Sequence, residues 1–178
     1  GYVLVAIIVL AIVGVVVRLV SAGGGDETLS GLLPIQRDVI DSVTIRTTST
    51  EARIVRRGDS WTIDTQPVFT PKFDEFWAVV STFDGAQLVS NNQANHERIG
   101  VDPQQGTEVI FFLQGALQER FTIGRWTPTV HQCFLRRGDD DRVYAIECRF
   151  ADLFDPEPDG WRNPIVISIP FEAIQSVT

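Results

Sequence analysis

The chain has 178 residues, 44% of them hydrophobic, and a formal charge of −8, with a pI near 4.7. That balance disfavours a nucleic-acid partner, which demands a basic face, and broad adhesion to anionic lipid. With two cysteines and two histidines in the whole chain, no Cys/His cluster for zinc can be assembled from neighbouring positions.

The first stretch dominates the pattern. Residues 2–17 carry no ionisable charge, and Arg18 is the first basic side chain. About 20 apolar residues cross a bilayer core, so residues 1–22 are expected to form a transmembrane helix, with Arg18 reaching back to the headgroups. A signal peptide would be shorter and end at a small-residue site such as Val20-Ser21-Ala22. A buried or interfacial helix would show a polar face, and none is visible. The sequence has no methionine, so a short leading tail is expected before Gly1. Downstream of Arg18 the next basic residue is Arg37, after Asp26 and Glu27. The positive-inside rule then predicts a cytoplasmic N-terminus and a domain outside the cytoplasm, at the cell inner membrane.

Residues 23–36 read as a linker, and residues 37–178 as one extracytoplasmic domain. Val43 and Ile45 alternate with polar residues. Ile54-Val55 and Trp61-Thr62-Ile63 follow, with a turn at Arg57 to Ser60. These predict a three-stranded meander with Val43, Ile45, Trp61 and Ile63 inward. Thr70 is the expected N-cap of a helix, with Pro71 at its first position and Asp74 and Glu75 in its first turn. Phe73, Phe76, Trp77, Val80 and Phe83 form its apolar stripe, better read as core than as a ligand platform. Gln87 to Val89 reads as a short strand. The polar loop from Ser90 to Gly106 contains His96, read as a surface histidine because no nucleophile neighbours it.

The second half predicts strands over 108–113, 117–123, 130–136 and 143–148. A hairpin is expected at Gln114-Gly115-Ala116 and an acidic solvated turn at Gly138 to Asp141, which lacks calcium-loop spacing. If Arg137 faces Tyr144, Cys133 faces Cys148. The pair then shares one apolar face and a disulfide becomes feasible, two buried thiols being the alternative. A short helix over 149–154 and a last strand over 165–169 complete the domain. The segment 37–44 aligns with 171–178, which points to a two-part internal repeat whose last segment pairs beside the first strand. The expected fold class is α+β: one N-terminal transmembrane helix, then a mainly antiparallel β domain with one longer and one short helix.

The run of Ser42-Val43-Thr44-Ile45, Gly58 to Ile63, Pro67, Ile99-Gly100-Val101-Asp102-Pro103, Phe121 to Gly124, Cys133 to Arg136, Val143 to Ile146 and Trp161-Arg162-Asn163 resembles a bacterial family of single-span proteins whose domain has no assigned function. The likeness covers residues 40–178. It departs at Phe134 and Arg98, near which the family carries tyrosines. The resemblance implies membrane anchoring and genes encoded beside gliding-motility-type ABC transporters, and it carries over no catalytic residue.

The function expected first is a non-enzymatic accessory or scaffold subunit of a larger membrane complex, whether photosynthetic, respiratory or a transporter. Its partners would be other integral membrane subunits and the lipid bilayer. Within the span, Ala6, Ala11 and Gly14 allow close helix approach; in the domain, Trp126 and Trp161 are candidate anchors. The alternative is an ABC-exporter auxiliary protein binding a small ligand or glycan in an apolar pocket lined by Trp61 and Trp77. An enzyme is disfavoured: Asp102, Glu108, Glu119 and Glu147 are scattered carboxylates without convergent spacing. No metal or cofactor is implied.

Overall fold

The structure, a computed structural model, describes residues 35–127, 129, 131–149 and 152–163. Nine strands form one antiparallel sheet: β1 (Ser42–Arg46), β2 (Glu51–Arg57), β3 (Ser60–Ile63), β4 (Gln66–Pro67), β5 (Gln87–Ser90), β6 (Thr107–Leu113), β7 (Ala116–Thr127), β8 (Gln132–Arg137) and β9 (Val143–Glu147). Their order is β4-β3-β2-β1-β6-β7-β8-β9-β5. Two meanders therefore start back to back at the centre, where β1 pairs β6 with Ser42 opposite Phe112 and Arg46 opposite Glu108. The helices among the described residues are α1 (Thr70–Val80) and the single turn α2 (His96–Ile99).

This corrects the expected fold class. The described chain is one continuous β-sheet with two short helices, and none of its helices is long and apolar enough to cross a membrane. The expected span over 1–22, with Ala6, Ala11 and Gly14, lies outside the described residues. So do the last strand over 165–169 and the repeat segment 171–178. The pairing assigned to that segment is also corrected: β1 already bonds β2 on one edge and β6 on the other, and a strand has only two edges. The short helix expected over 149–154 is a turn at residues 152–154, and the short helix sits instead in the loop after β5.

Alternation in the strands decides which face is filled. Val43, Ile45, Ile54, Trp61, Ile63, Val109, Phe111, Phe121, Leu135, Tyr144 and Ile146 are buried on one face, as period-two patterning requires. Helix α1 lies over that face with Phe73, Phe76, Trp77 and Val80 buried. The cap differs from expectation: Phe69 is the N-cap with no side-chain bond, Pro71 falls in the first turn, and no acidic residue does. Asp74 pairs with Arg37 instead. The rings interlock in tilted and edge contacts, including Trp61–Phe73 at 5.0 Å, Phe76–Trp161 at 5.7 Å and Phe83–Phe121 at 5.0 Å, geometries that aromatic quadrupoles favour.

Trp161, on a 3-10 turn over Pro158–Trp161, is fully buried in this layer. Its Nε1 donates to the Asp155 carbonyl. Lys72, the only lysine, stacks over its ring at 4.6 Å, donates to the Gly160 carbonyl at 3.0 Å, and stands 3.5 Å from Asp155 and from Asp152. The tail of the domain is thus clamped to α1.

Two turns explain the hairpin registers. Gln114 and Gly115 both adopt positive φ, 52° and 77°, the pattern of a type I′ turn, so Leu113 pairs Ala116. In the last hairpin the register is slipped by two from the expected one: Leu135 faces Tyr144 and Cys133 faces Ile146. A two-residue slip preserves the face. Cys133 therefore meets Cys148 diagonally, with Cα atoms 5.6 Å apart, and the two are joined in a disulfide.

Two stability outcomes follow. Trp161→Ala is expected to cost about 3–5 kcal/mol, as large-to-small changes in aromatic cores do, measured by urea denaturation; a loss under about 1 kcal/mol would show that the tail is not held by this ring. The Cys133→Ser/Cys148→Ser pair opens a loop with a separation of 15 residues and is expected to lower stability by about 3 kcal/mol, read from the same denaturation curves.

Candidate functional site

The second face of the sheet is covered over only part of its width. The loop from Asn91 to Gly106 folds back across β7–β9, where Ile99 and Val101 pack on Val143 and Phe134. Gly124 permits this: a Cβ there would stand 2.9 Å from the Ile99 carbonyl and 2.7 Å from Val101. His96 belongs to the same lobe. It is buried, and its Nε2 lies 2.8 Å from the Asp141 carbonyl, which corrects its reading as a surface histidine. Over β1–β3 the face carries no covering element among the described residues.

Where the lobe stops, a cleft of about 500 Å³ opens. Its walls are the β1–β2 loop (Thr47, Thr48, Ser49, Thr50, Glu51) and the lobe's edge at Pro103 and Gly106; Arg46, Glu108, Thr122, Arg136 and Asp139 complete it. The sheet register sets these side chains in one row: Glu51, Arg46, Glu108, Thr122 and Arg136 are successive cross-strand partners. Arg46 bonds Glu108 through Nε at 2.8 Å and Nη2 at 2.7 Å. Arg120, one row along, bonds Asp139 at 2.9 Å. Arg136 donates through Nε to the Val101 carbonyl at 3.1 Å, which ties the lobe to the sheet. The Thr47 and Thr50 hydroxyls lie 3.0 Å apart, and the Thr47 N–H donates to the Thr50 carbonyl, closing the loop.

Further along the same face a second cleft, about 260 Å³, is lined by Asp41, Ser42, Arg53, Val55, Arg56, Phe112 and Gly115. The Ser42 hydroxyl is buried there without a hydrogen-bond partner. Between the clefts, Thr44 and Ile110 are only 6% and 7% exposed, shielded by longer neighbours.

Trp126 is half-buried in β7, packs against the core and donates through Nε1 to the Cys148 carbonyl. Trp161 is core, so the anchor role expected of it is corrected. The pocket expected between Trp61 and Trp77 is filled: the two rings lie 6.1 Å apart among Phe73, Phe76 and Phe111. The scattered carboxylates stay apart. Glu108 sits in the cleft, whereas Glu119 pairs with Phe111 on the opposite face and bonds Arg137 at 2.6 Å, which raises the Arg137 pKa. Asp102 caps the lobe's turn at Gln104, and Glu147 ends β9. Among the described residues no group of three His, Cys, Asp or Glu side chains could hold a metal. The cleft residues escaped sequence reading because five strands and three loops supply them; the hydroxyl run from Thr47 to Thr50 was the one local signal.

The arrangement defines a class: an antiparallel-sheet domain with one closed apolar core and one partly open, arginine-bearing polar face. The chain matches the family described as a domain of unknown function, DUF4340, over residues 61–178. It belongs to that family. The match begins at β3, so β1 and β2 lie ahead of it. No curated protein matches the chain, nor does any solved structure.

One ionic contact near the cleft has a testable pH signature. Asp140 is held below its ordinary carboxylate value of 3.8, first by its hydrogen bonds from the Arg142 side chain, with partial burial opposing. A depressed folded pKa contributes stability that is present above the unfolded value and lost as pH falls through the folded one. The gap in urea midpoint between the native chain and Asp140→Asn should therefore be constant from about pH 5 to pH 7 and narrow progressively as pH falls below the ordinary carboxylate value.

Proposed function

We propose that this domain is a non-enzymatic accessory subunit of a larger membrane assembly at the bacterial inner membrane, positioned outside the cytoplasm, with its partner on the open face of the sheet. The observation that carries this reading is the asymmetry of the sheet. One face is closed by α1 and the tail clamp; the other carries two clefts and buried Thr44, Ile110 and Thr122 with no element over β1–β3 among the described residues. A sheet face built with a recessed, hydrogen-bonding floor suits contact with another chain. The Cys133–Cys148 disulfide supports an oxidising compartment. The genomic neighbourhood implied by the family resemblance supports a transporter among the candidate assemblies, beside photosynthetic and respiratory ones.

A second reading, an exporter-associated protein holding a small polar ligand, is favoured by one observation: the hydroxyls of Thr47, Thr48, Ser49, Thr50 and Thr122 beside Arg46, Glu108 and Arg136 in a cleft of ligand size.

Purification of the native full chain in mild detergent, followed by mass spectrometry, tests the first reading. Integral membrane subunits are expected in stoichiometric amounts. Thr48→Trp, which fills the cleft from an exposed loop position, should reduce their recovery at least about fivefold, a loss typical of disturbing an interface centre. Recovery of the protein alone would remove the accessory reading.

A further inference from the structure

The open face differs in charge from the rest of the molecule. Its strand positions, read from the register, carry arginines at 46, 53, 57, 120 and 136 and glutamates at 51, 108 and 147. Positive charge is in excess at those positions by two, whereas the whole chain is −8. Several of these arginines keep capacity. Arg53 and Arg57 are exposed, and neither has an acidic partner among the described residues. Arg136 uses Nε on a neutral carbonyl.

The spacing is regular. Along β1, the row of Arg46 and Glu108, the row of Thr44 flanked by Arg53 and Ile110, and the row of Ser42 flanked by Val55 and Phe112 follow at intervals of two residues, about 7 Å each. An extended polypeptide repeats its side chains on one face at the same interval. From the larger cleft to the smaller is about 13 Å, the reach of four or five extended residues. The smaller cleft adds the Phe112 ring and Val55 for an apolar side chain, and the unpartnered Ser42 hydroxyl.

We infer that this face binds an extended acidic segment of a partner polypeptide, its carboxylates alternating along the arginine rows and an apolar residue seated at Phe112. The inference rests on the accessory-subunit reading and names the chemistry of the partner. The walls of the larger cleft, residues 47–51 on one side and 103–106 on the other, favour a chain over a planar lipid surface: a recessed floor is reachable by a segment and not by a sheet of headgroups.

The test is fluorescence anisotropy of the full chain with labelled hexaglutamate, hexalysine as the control peptide, and phosphatidylglycerol vesicles as competitor. Hexaglutamate should bind, hexalysine should not, and binding should weaken with salt as screening requires. Arg53→Glu/Arg57→Glu breaks no native ion pair; it should weaken hexaglutamate binding about tenfold or more, because reversed charge acts on affinity and on-rate alike. Arg149→Glu, an exposed reversal two residues beyond the end of β9 and outside both clefts, should leave it within about twofold. Unchanged unfolding midpoints in both variants would exclude misfolding. The inference is overturned by absent hexaglutamate binding, by equal losses in the two variants, or by vesicles displacing the peptide and binding through the same arginines. Should it fall while native subunits still co-purify with the chain, the accessory reading stands and only the partner's chemistry is wrong.

Discussion

Antiparallel pairing between β1 and β6 is the constraint on which the rest depends. Each strand opens a meander that then walks outward, β1 to β4 on one side and β6 to β9 on the other. Their edge-to-edge hydrogen bonds, five residue pairs from Ser42–Phe112 to Arg46–Glu108, fuse two meanders into one sheet. An isolated hairpin is marginal in water, and a sheet gains independent stability from three or more strands that share an apolar face. The fused sheet presents a single broad apolar face, wide enough for α1 and the tail to close with aromatic rings. The same pairing sets Arg46 beside Glu108 on the opposite face and so builds the floor of the larger cleft.

The two faces solve different problems. On the closed face, Phe73, Phe76, Trp77 and Trp161 fill the space between helix and sheet, and Lys72 holds the tail through cation–π contact and two carboxylates. Both groups of contact are local to the clamp, yet they decide whether the segment after β9 returns to the core. On the open face, polar side chains in register leave room instead of filling it. Arginine suits that role: its planar guanidinium can bond a neighbour through Nε and retain donors for a carboxylate, as Arg136 does toward Val101.

Much of the strand layout was legible. Alternation at Val43 and Ile45, at Trp61 and Ile63, and in the second half located most of the strands, and the stripe of Phe73, Phe76, Trp77 and Val80 marked α1. Less legible were details set by competition between local options. Phe69 rather than Thr70 caps α1, because the chain reaches the helix from a bridge to the tail, with the Phe69 N–H on the Trp161 carbonyl. His96 looked solvated beside Glu97, and only the folding of its lobe onto β9 buries it. The last hairpin's register could not be read from Gly138 to Asp141, because several loop lengths keep the same face pattern.

By itself the sequence determined the strand periodicity, the inward face of the first meander and of the last hairpin, the apolar face of α1 and the acidic overall charge, since these are properties of near neighbours along the chain. Tertiary structure alone decided that both meanders share one sheet, that β1 has no free edge, that Cys133 meets Cys148 diagonally, and that Trp161 is core and not an anchor. It also decided the site. Arg46, Arg53, Arg120 and Arg136 are scattered over 90 positions of an acidic chain, and they become one basic face only because cross-strand register, a long-range property, sets them side by side.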